Sequence, residues 1–147
     1  NGDINRFKFP IAIIKKSKYD FSFSGLKTSL YYLLNRNEVS IKRDAKDIAA
    51  GYQEAILNAL IQKMTYVSNE INIYDIIISG GVTCNKRFRQ KLDILNKQKL
   101  YSIYYPPIQY CTDNAAMICI AGYEKAINKE FSDITLNIYP NLLMNQR

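Results

Sequence analysis

"DIIISGGVTCNKRFRQKL", residues 75–92, changes its hydrophobic period part-way along. Ile76, Ile77 and Ile78 run consecutively, which suits a strand covered on both faces in a parallel sheet. Gly80 and Gly81 interrupt that run, and the next apolar residues, Phe88, Leu92 and Leu95, fall on one helical stripe. The stretch therefore reads as strand, glycine turn, helix. Asn85 stands at the junction, where its amide can cap the helix or read a purine edge, since it offers both a donor and an acceptor. Lys86, Arg87, Arg89 and Lys91 make the outer side of that helix basic.

Upstream, Ile48, Tyr52, Ile56, Leu60, Met64 and Val67 recur every four or three residues, so residues 44–68 read as one amphipathic helix that carries Gly51 at some cost. Before it, "KYDFSFSG" alternates aromatic and polar residues with the period of a half-buried strand, and "LKTSLYYLL" follows at helical spacing. Downstream, "LYSIYYPP" reads as a strand ended by Pro106 and Pro107, which cannot donate to a ladder. "YCTDNAAM" then feeds a helix over residues 113–128 that is apolar almost all round and is expected to be buried. Residues 129–147 hold a short apolar alternation and a Pro-Asn turn. The order strand, helix, helix, strand, helix, strand, helix predicts an α/β layered domain.

The bulk numbers fit that reading. A chain of 147 residues is the size of one domain and can bury a real core. Its 48% hydrophobic and 22% charged residues, with six glycines and four prolines, exclude a disordered chain or a repeat array. A net charge of +7 is compatible with binding a polyanion, and equally with a general bias toward lysine. Cys84, Cys111 and Cys119 form no CxxC pair, which argues against a disulfide framework or a cysteine-rich zinc site and for a reducing, cytoplasmic setting. No apolar run is long enough to read as a membrane span, and nothing reads as a signal peptide, although the chain starts at Asn1 and an upstream leader stays open. There is no histidine, so imidazole chemistry has to come from elsewhere.

Three places can carry chemistry. Paired glycines between a buried strand and a helix let backbone N–H groups approach a phosphate or nucleotide, or simply make a tight turn. Asp113 at a helix start can be the cap or, with Thr112 as the cap, a carboxylate free to hold a cation. Lys27, just inside the start of a helix, is poorly placed against the helix dipole and can face a phosphate or an acidic partner, or be solvated.

"YDFSFSGLKTSL", "IIISGGVTCNKRFRQKL" and "YYPPIQYCTDNAAMICIAGYE", in this order and spacing, resemble the C-terminal half of the tRNA threonylcarbamoyladenosine transferases, the TsaD family once labelled O-sialoglycoprotease or glycoprotease. The likeness runs from "GDINRFKFP" to about Glu124. It implies the second lobe of an actin/sugar-kinase/Hsp70-like (ASKHA) fold, a layered αβα lobe over residues 1–147, with the N-terminal lobe absent. It also implies that Gly80, Gly81 and Asn85 contact the adenylate substrate, and that Asp113 is a ligand of a divalent metal, iron or zinc. The implied reaction transfers threonylcarbamoyl from threonylcarbamoyl-adenylate to an adenosine of the tRNA anticodon loop, within a complex that includes partner subunits. Lys86, Arg87, Arg89 and Lys27 then become possible tRNA contacts.

The departure from the family matters equally. Members supply two histidines of an HxxxH motif from the first lobe, together with the glycines and acidic residue that hold ribose and phosphates. This chain has none of them, so it is expected to be a fragment or truncated product, inactive alone. Cys84 stands where a small residue is usual and reads as a tolerated small hydrophobe. The alternatives are the family's non-catalytic paralogue, which lacks the metal site, and another ASKHA nucleotide-binding protein such as a kinase or ATPase. Retention of Asn85 and Asp113 argues against the first, and "CTDNAAM" against the second. A protease reading finds no HExxH, Cys-His or Ser-His pair.

Overall fold

The structure, a computed structural model, describes residues 2–11, 19–37 and 39–137. Among the described residues are four α-helices and two strands: α1 (Ser24–Leu34), α2 (Ile41–Ile71), β1 (Asp75–Ile77), α3 (Lys86–Lys97), β2 (Ser102–Tyr104) and α4 (Ala115–Ile127). β1 and β2 are parallel, with Ile76 opposite Ile103 and Ile77 opposite Tyr104. α3 makes the crossover between them, as a parallel pair requires.

α2 organises the chain because its apolar side chains recur at helical spacing through all 31 residues. Its N-terminal half packs in a cluster of Phe9, Leu26, Ile48 and Ala55, which brings in α1 and the segment before it. Its C-terminal half joins a second cluster, Leu57, Phe88, Leu92, Tyr101 and Ile103, which holds α3 and the sheet. Asp44 is fully buried at the start of α2. Hydrogen bonds from Arg43 and from Ser40 N, with Arg6 beside them, hold its carboxyl well below the usual carboxylate range.

Gly51 shows why a glycine stands in mid-helix. A Cβ there would lie 2.1 Å from Phe7 O, which is backbone and cannot swing aside. Alanine normally stabilises a helix interior by about 1 kcal/mol relative to glycine, but overpacking a tight contact costs about 1–3 kcal/mol. Gly51→Ala is therefore expected to lower the urea midpoint. A raised midpoint would mean that the segment around Phe7 moves away at no cost.

The architecture is α/β, and it departs from the expected layering in three places. Residues 19–23 form no strand. They lie beside β1, where Tyr19 and Phe21 line an apolar groove of about 500 Å³ with Ile76 and Ile77. Phe21 and Phe23 still stand side by side, ring centroids 6.2 Å apart, so the alternation survives without a ladder. β1 is covered on one face and not both: Ile76 is half-buried, whereas Ile77 is 82% exposed. The described residues thus make two layers, with α2 and α3 on one face of the sheet, in place of an αβα sandwich. Finally, α4 has no buried residue, and Ile118, Ile120 and Tyr123 on it are each at least 65% exposed. The helix exists where expected, but among the described residues nothing covers it. The Pro-Asn turn of the tail lies outside the described residues.

The outer edge of β2 is closed by a side chain. Asn96 Oδ1 accepts from Ile103 N at 2.6 Å and its Nδ2 donates to Ile103 O at 2.9 Å, which imitates a neighbouring strand. No helix of the described residues is long and apolar enough to cross a membrane.

Candidate functional site

The turn after β1 depends on one backbone conformation. Gly80 adopts φ +97° with ψ 170°, a region essentially restricted to glycine. Thr83 N then donates to Gly80 O at 2.9 Å, closing a 3-10 turn over Gly81–Cys84. A Cβ on Gly80 or Gly81 would meet no atom within 4 Å. The tight turn accounts for Gly80 by itself, and the open space above both glycines leaves room for a ligand against the backbone.

Asn85 caps α3, its Oδ1 accepting from Phe88 N at 3.0 Å, while its Nδ2 donates to Gln53 Oε1 at 2.8 Å. Sequence reading missed Gln53, which lies on α2, far away in the chain. The same two helices are joined further along: Arg87 Nε donates to Glu54 at 3.1 Å, Lys91 pairs with the same carboxylate, and Lys91 Nζ donates to Asn58 Oδ1 at 2.8 Å. Burial works to raise the Glu54 carboxyl, yet the hydrogen bonds from Arg87 and Lys91 bring it below its ordinary value.

The basic stripe of α3 is therefore largely committed to contacts within the chain. Arg89 turns inward, with Nε donating to Thr83 O at 2.7 Å and Nη2 to Pro106 O at 2.6 Å, and its guanidinium lies 4.6 Å over the Tyr105 ring. It brackets the glycine turn to the loop after β2. Lys86 remains exposed on α3, and Lys27 is exposed on α1.

That second loop passes through a 3-10 turn, Ile108–Tyr110, and buried Cys111 to reach α4. Here Asn114 is the cap, its Oδ1 accepting from Met117 N at 3.1 Å. Neither Asp113 nor Thr112 takes that role; Thr112 O instead accepts from Asn114 Nδ2 at 2.9 Å. Asp113 is exposed and makes no hydrogen bond or ion pair among the described residues. Its carboxylate can take a cation without giving up any contact seen here. The fit to a resident metal is incomplete, however: among the described residues no group of three His, Cys, Asp or Glu comes together, and zinc or iron sites need about three or four ligands. The described residues alone do not fit a bound metal.

The structure thus brings together two stretches, the turn from Gly80 to Asn85 and the loop leading to Asp113, through Arg89 and through Cys84 Sγ, which lies 3.9 Å from Ile108 O. Residues 1–120, which hold both, match the profile of a family described as TsaD, tRNA N6-adenosine threonylcarbamoyltransferase. The chain belongs to this threonylcarbamoyltransferase family. Curated proteins of that name are similar to it throughout: one from Kosmotoga olearia is 44% identical over 92% of this chain and 40% of its own length. Another, from Thermosipho africanus, is 38% identical over 97% of this chain and 43% of its own length. A third, from Clostridioides difficile, is 41% identical over 99% of this chain and 44% of its own length. The chain spans about two fifths of the length of these threonylcarbamoyltransferases.

Proposed function

We propose that residues 1–147 are the second lobe of an ASKHA-type tRNA threonylcarbamoyltransferase, acting in the cytoplasm with partner subunits. The observation that carries this reading is the juxtaposition of the open glycine turn with the loop of Asp113, both inside the matched family segment. The exposed apolar surface of α4 supports it, since patches of that kind mark surfaces meant to be covered. The portion of the relatives' length that this chain does not span is a candidate cover.

In this reading the substrate is threonylcarbamoyl-adenylate, and the acceptor is the exocyclic amine of an adenosine in the tRNA anticodon loop. The amine attacks the threonylcarbamoyl carbonyl, AMP departs, and the amine's proton is lost to a base not identified on this chain. Gly80 and Gly81 let the backbone approach the adenylate. Asn85 reaches it with the Nδ2 now spent on Gln53, while its Oδ1 keeps the cap. Asp113 supplies one ligand of an iron or zinc ion whose remaining donors, histidines among them, come from outside this chain. Such an ion, when bound, would polarise an acyl or phosphate oxygen. Lys86 and Lys27 are the exposed cations offered to the RNA backbone, and Arg87 and Arg89 act by holding α3 and the two loops in place.

The test is a chimera, the Kosmotoga olearia relative carrying this chain in place of its matching segment. The chimera is expected to threonylcarbamoylate tRNA, and this chain alone is not. A chimera that folds and binds tRNA without transferring the group would instead favour a scaffold role. Asn85→Asp in that chimera separates two tasks, because aspartate caps as well as asparagine but has no amide to donate. Adenylate affinity should fall about tenfold, the value of one lost hydrogen bond, with thermal stability nearly unchanged. Unchanged affinity would confine Asn85 to its cap.

A further inference from the structure

Cys84 and Cys111 are far apart in the chain, but both thiols lie against one short stretch of backbone. Cys84 Sγ is 3.9 Å from Ile108 O, the carbonyl that also accepts from Cys111 N at 3.1 Å. Cys111 Sγ lies 3.6 Å from Pro106 O and 3.5 Å from Pro107 O, with Arg89 Nη2 at 3.1 Å on another side. Cys111 is close enough to Cys84 to help raise its thiol above the ordinary value. Both are free, Cys84 half-buried and Cys111 buried, whereas the third cysteine, Cys119, is exposed on α4.

We propose that Cys84 and Cys111 are a reversible dithiol–disulfide pair, oxidised by exchange with a small disulfide, that clamps the glycine turn to the loop leading to Asp113. The backbone of each partner is already fixed by a 3-10 turn, so closing the bond orders little further chain. The exchange balances in two steps. Cys84, the more accessible, attacks the external disulfide as a thiolate and releases one thiolate. The Cys111 sulfur then attacks the mixed disulfide at Cys84 and releases the second. The two protein thiols lose two electrons and two protons, and one external disulfide becomes two thiols. In a reducing compartment such a bond is transient and suits sensing more than scaffolding. Burial first, and the neighbouring Cys111 next, raise the Cys84 thiol above its ordinary value, so the first step is slow at neutral pH and is best run on the alkaline side. The effect of the clamp on transfer rests on the function proposed above; the bond itself does not.

The experiment uses the whole chain, reduced, then treated with oxidised glutathione, alkylated, and digested with trypsin without reduction. Trypsin places Cys84 in residues 64–86 and Cys111 with Cys119 in residues 100–125, so the Cys119→Ser variant is run beside the native chain. The expected product is peptide 64–86 linked to peptide 100–125, lighter by two hydrogens than their sum. It should form in monomer fractions of both chains, be lost in Cys84→Ser and be reversed by dithiothreitol. Full alkylation of Cys84 and Cys111 after oxidation, with glutathione on Cys119 alone, would overturn the proposal. So would a linked peptide found only in dimer fractions. Failure of the chimera to transfer threonylcarbamoyl would leave this result untouched, which keeps the two readings separable.

Discussion

Leu92→Ala is expected to unfold this chain more readily than any surface change, lowering its stability by about 2–5 kcal/mol. Leu92 is fully buried, and it packs with Leu57 of α2, Phe88 of α3, and Tyr101 and Ile103 at β2. Removing most of its side chain withdraws the group on which three elements meet, while the bonds of Asn96 to Ile103 and of Glu54 to Arg87 and Lys91 still tie those elements together at the rim. In a domain of this size a loss of that order lowers the melting temperature by roughly ten degrees. Leu92→Met keeps the volume and should cost under about 1.5 kcal/mol. Ile118→Ala on exposed α4 should change little in the chain alone. Thermal melts followed by circular dichroism decide it: an L92A chain as stable as I118A would show that this cluster is not the core.

Much of this fold was legible because helical periodicity is a local signal. The stripe from Ile48 to Val67 announced α2, and the structure extends it by a few residues at each end, to Ile41–Ile71. The strand–turn–helix reading of residues 75–92 held in the same way, since three isoleucines and two glycines leave few local options. What failed was information that lives in a neighbour. Residues 19–23 carry a strand pattern, but a strand needs a ladder, and they lie beside β1 without pairing to it. The apolar sequence of α4 predicts a buried helix, yet none of its residues is buried among the described residues, because burial depends on a neighbour that the helix's own sequence does not specify.

The site divides along the same line. "TDN" offers three residues in a row that cap helices almost equally well, so propensity could not choose between them. Geometry chose Asn114, and in doing so it released Asp113 from a structural task. Arg87 and Arg89 read as part of a basic outer face because their partners, Glu54 on α2 and Thr83 and Pro106 in the turns, are invisible to the spacing of α3. The same holds for Gln53, whose bond to Asn85 spans 32 residues.

Asp113→Asn therefore carries the largest expected effect on function, and it is clean because the native carboxylate makes no hydrogen bond or ion pair among the described residues. In the chimera with the Kosmotoga olearia relative, the substitution keeps side-chain volume and removes the charge that a metal donor would need. If Asp113 is the ligand proposed above, bound iron or zinc measured by elemental analysis should fall, and transfer to tRNA should drop by about a hundredfold or more, since even groups one shell removed from a metal cost roughly 10–100-fold. The melting temperature of the isolated chain should not move. Asn114→Ala is expected to do the reverse, because it deletes the cap bond to Met117 N at 3.1 Å and costs about 1 kcal/mol of stability while leaving the carboxylate in place. Two adjacent residues then separate into a donor and a cap by two different measurements. A D113N chimera with full metal content and full transfer would return Asp113 to the surface of the molecule and leave the metal to be held by other groups altogether.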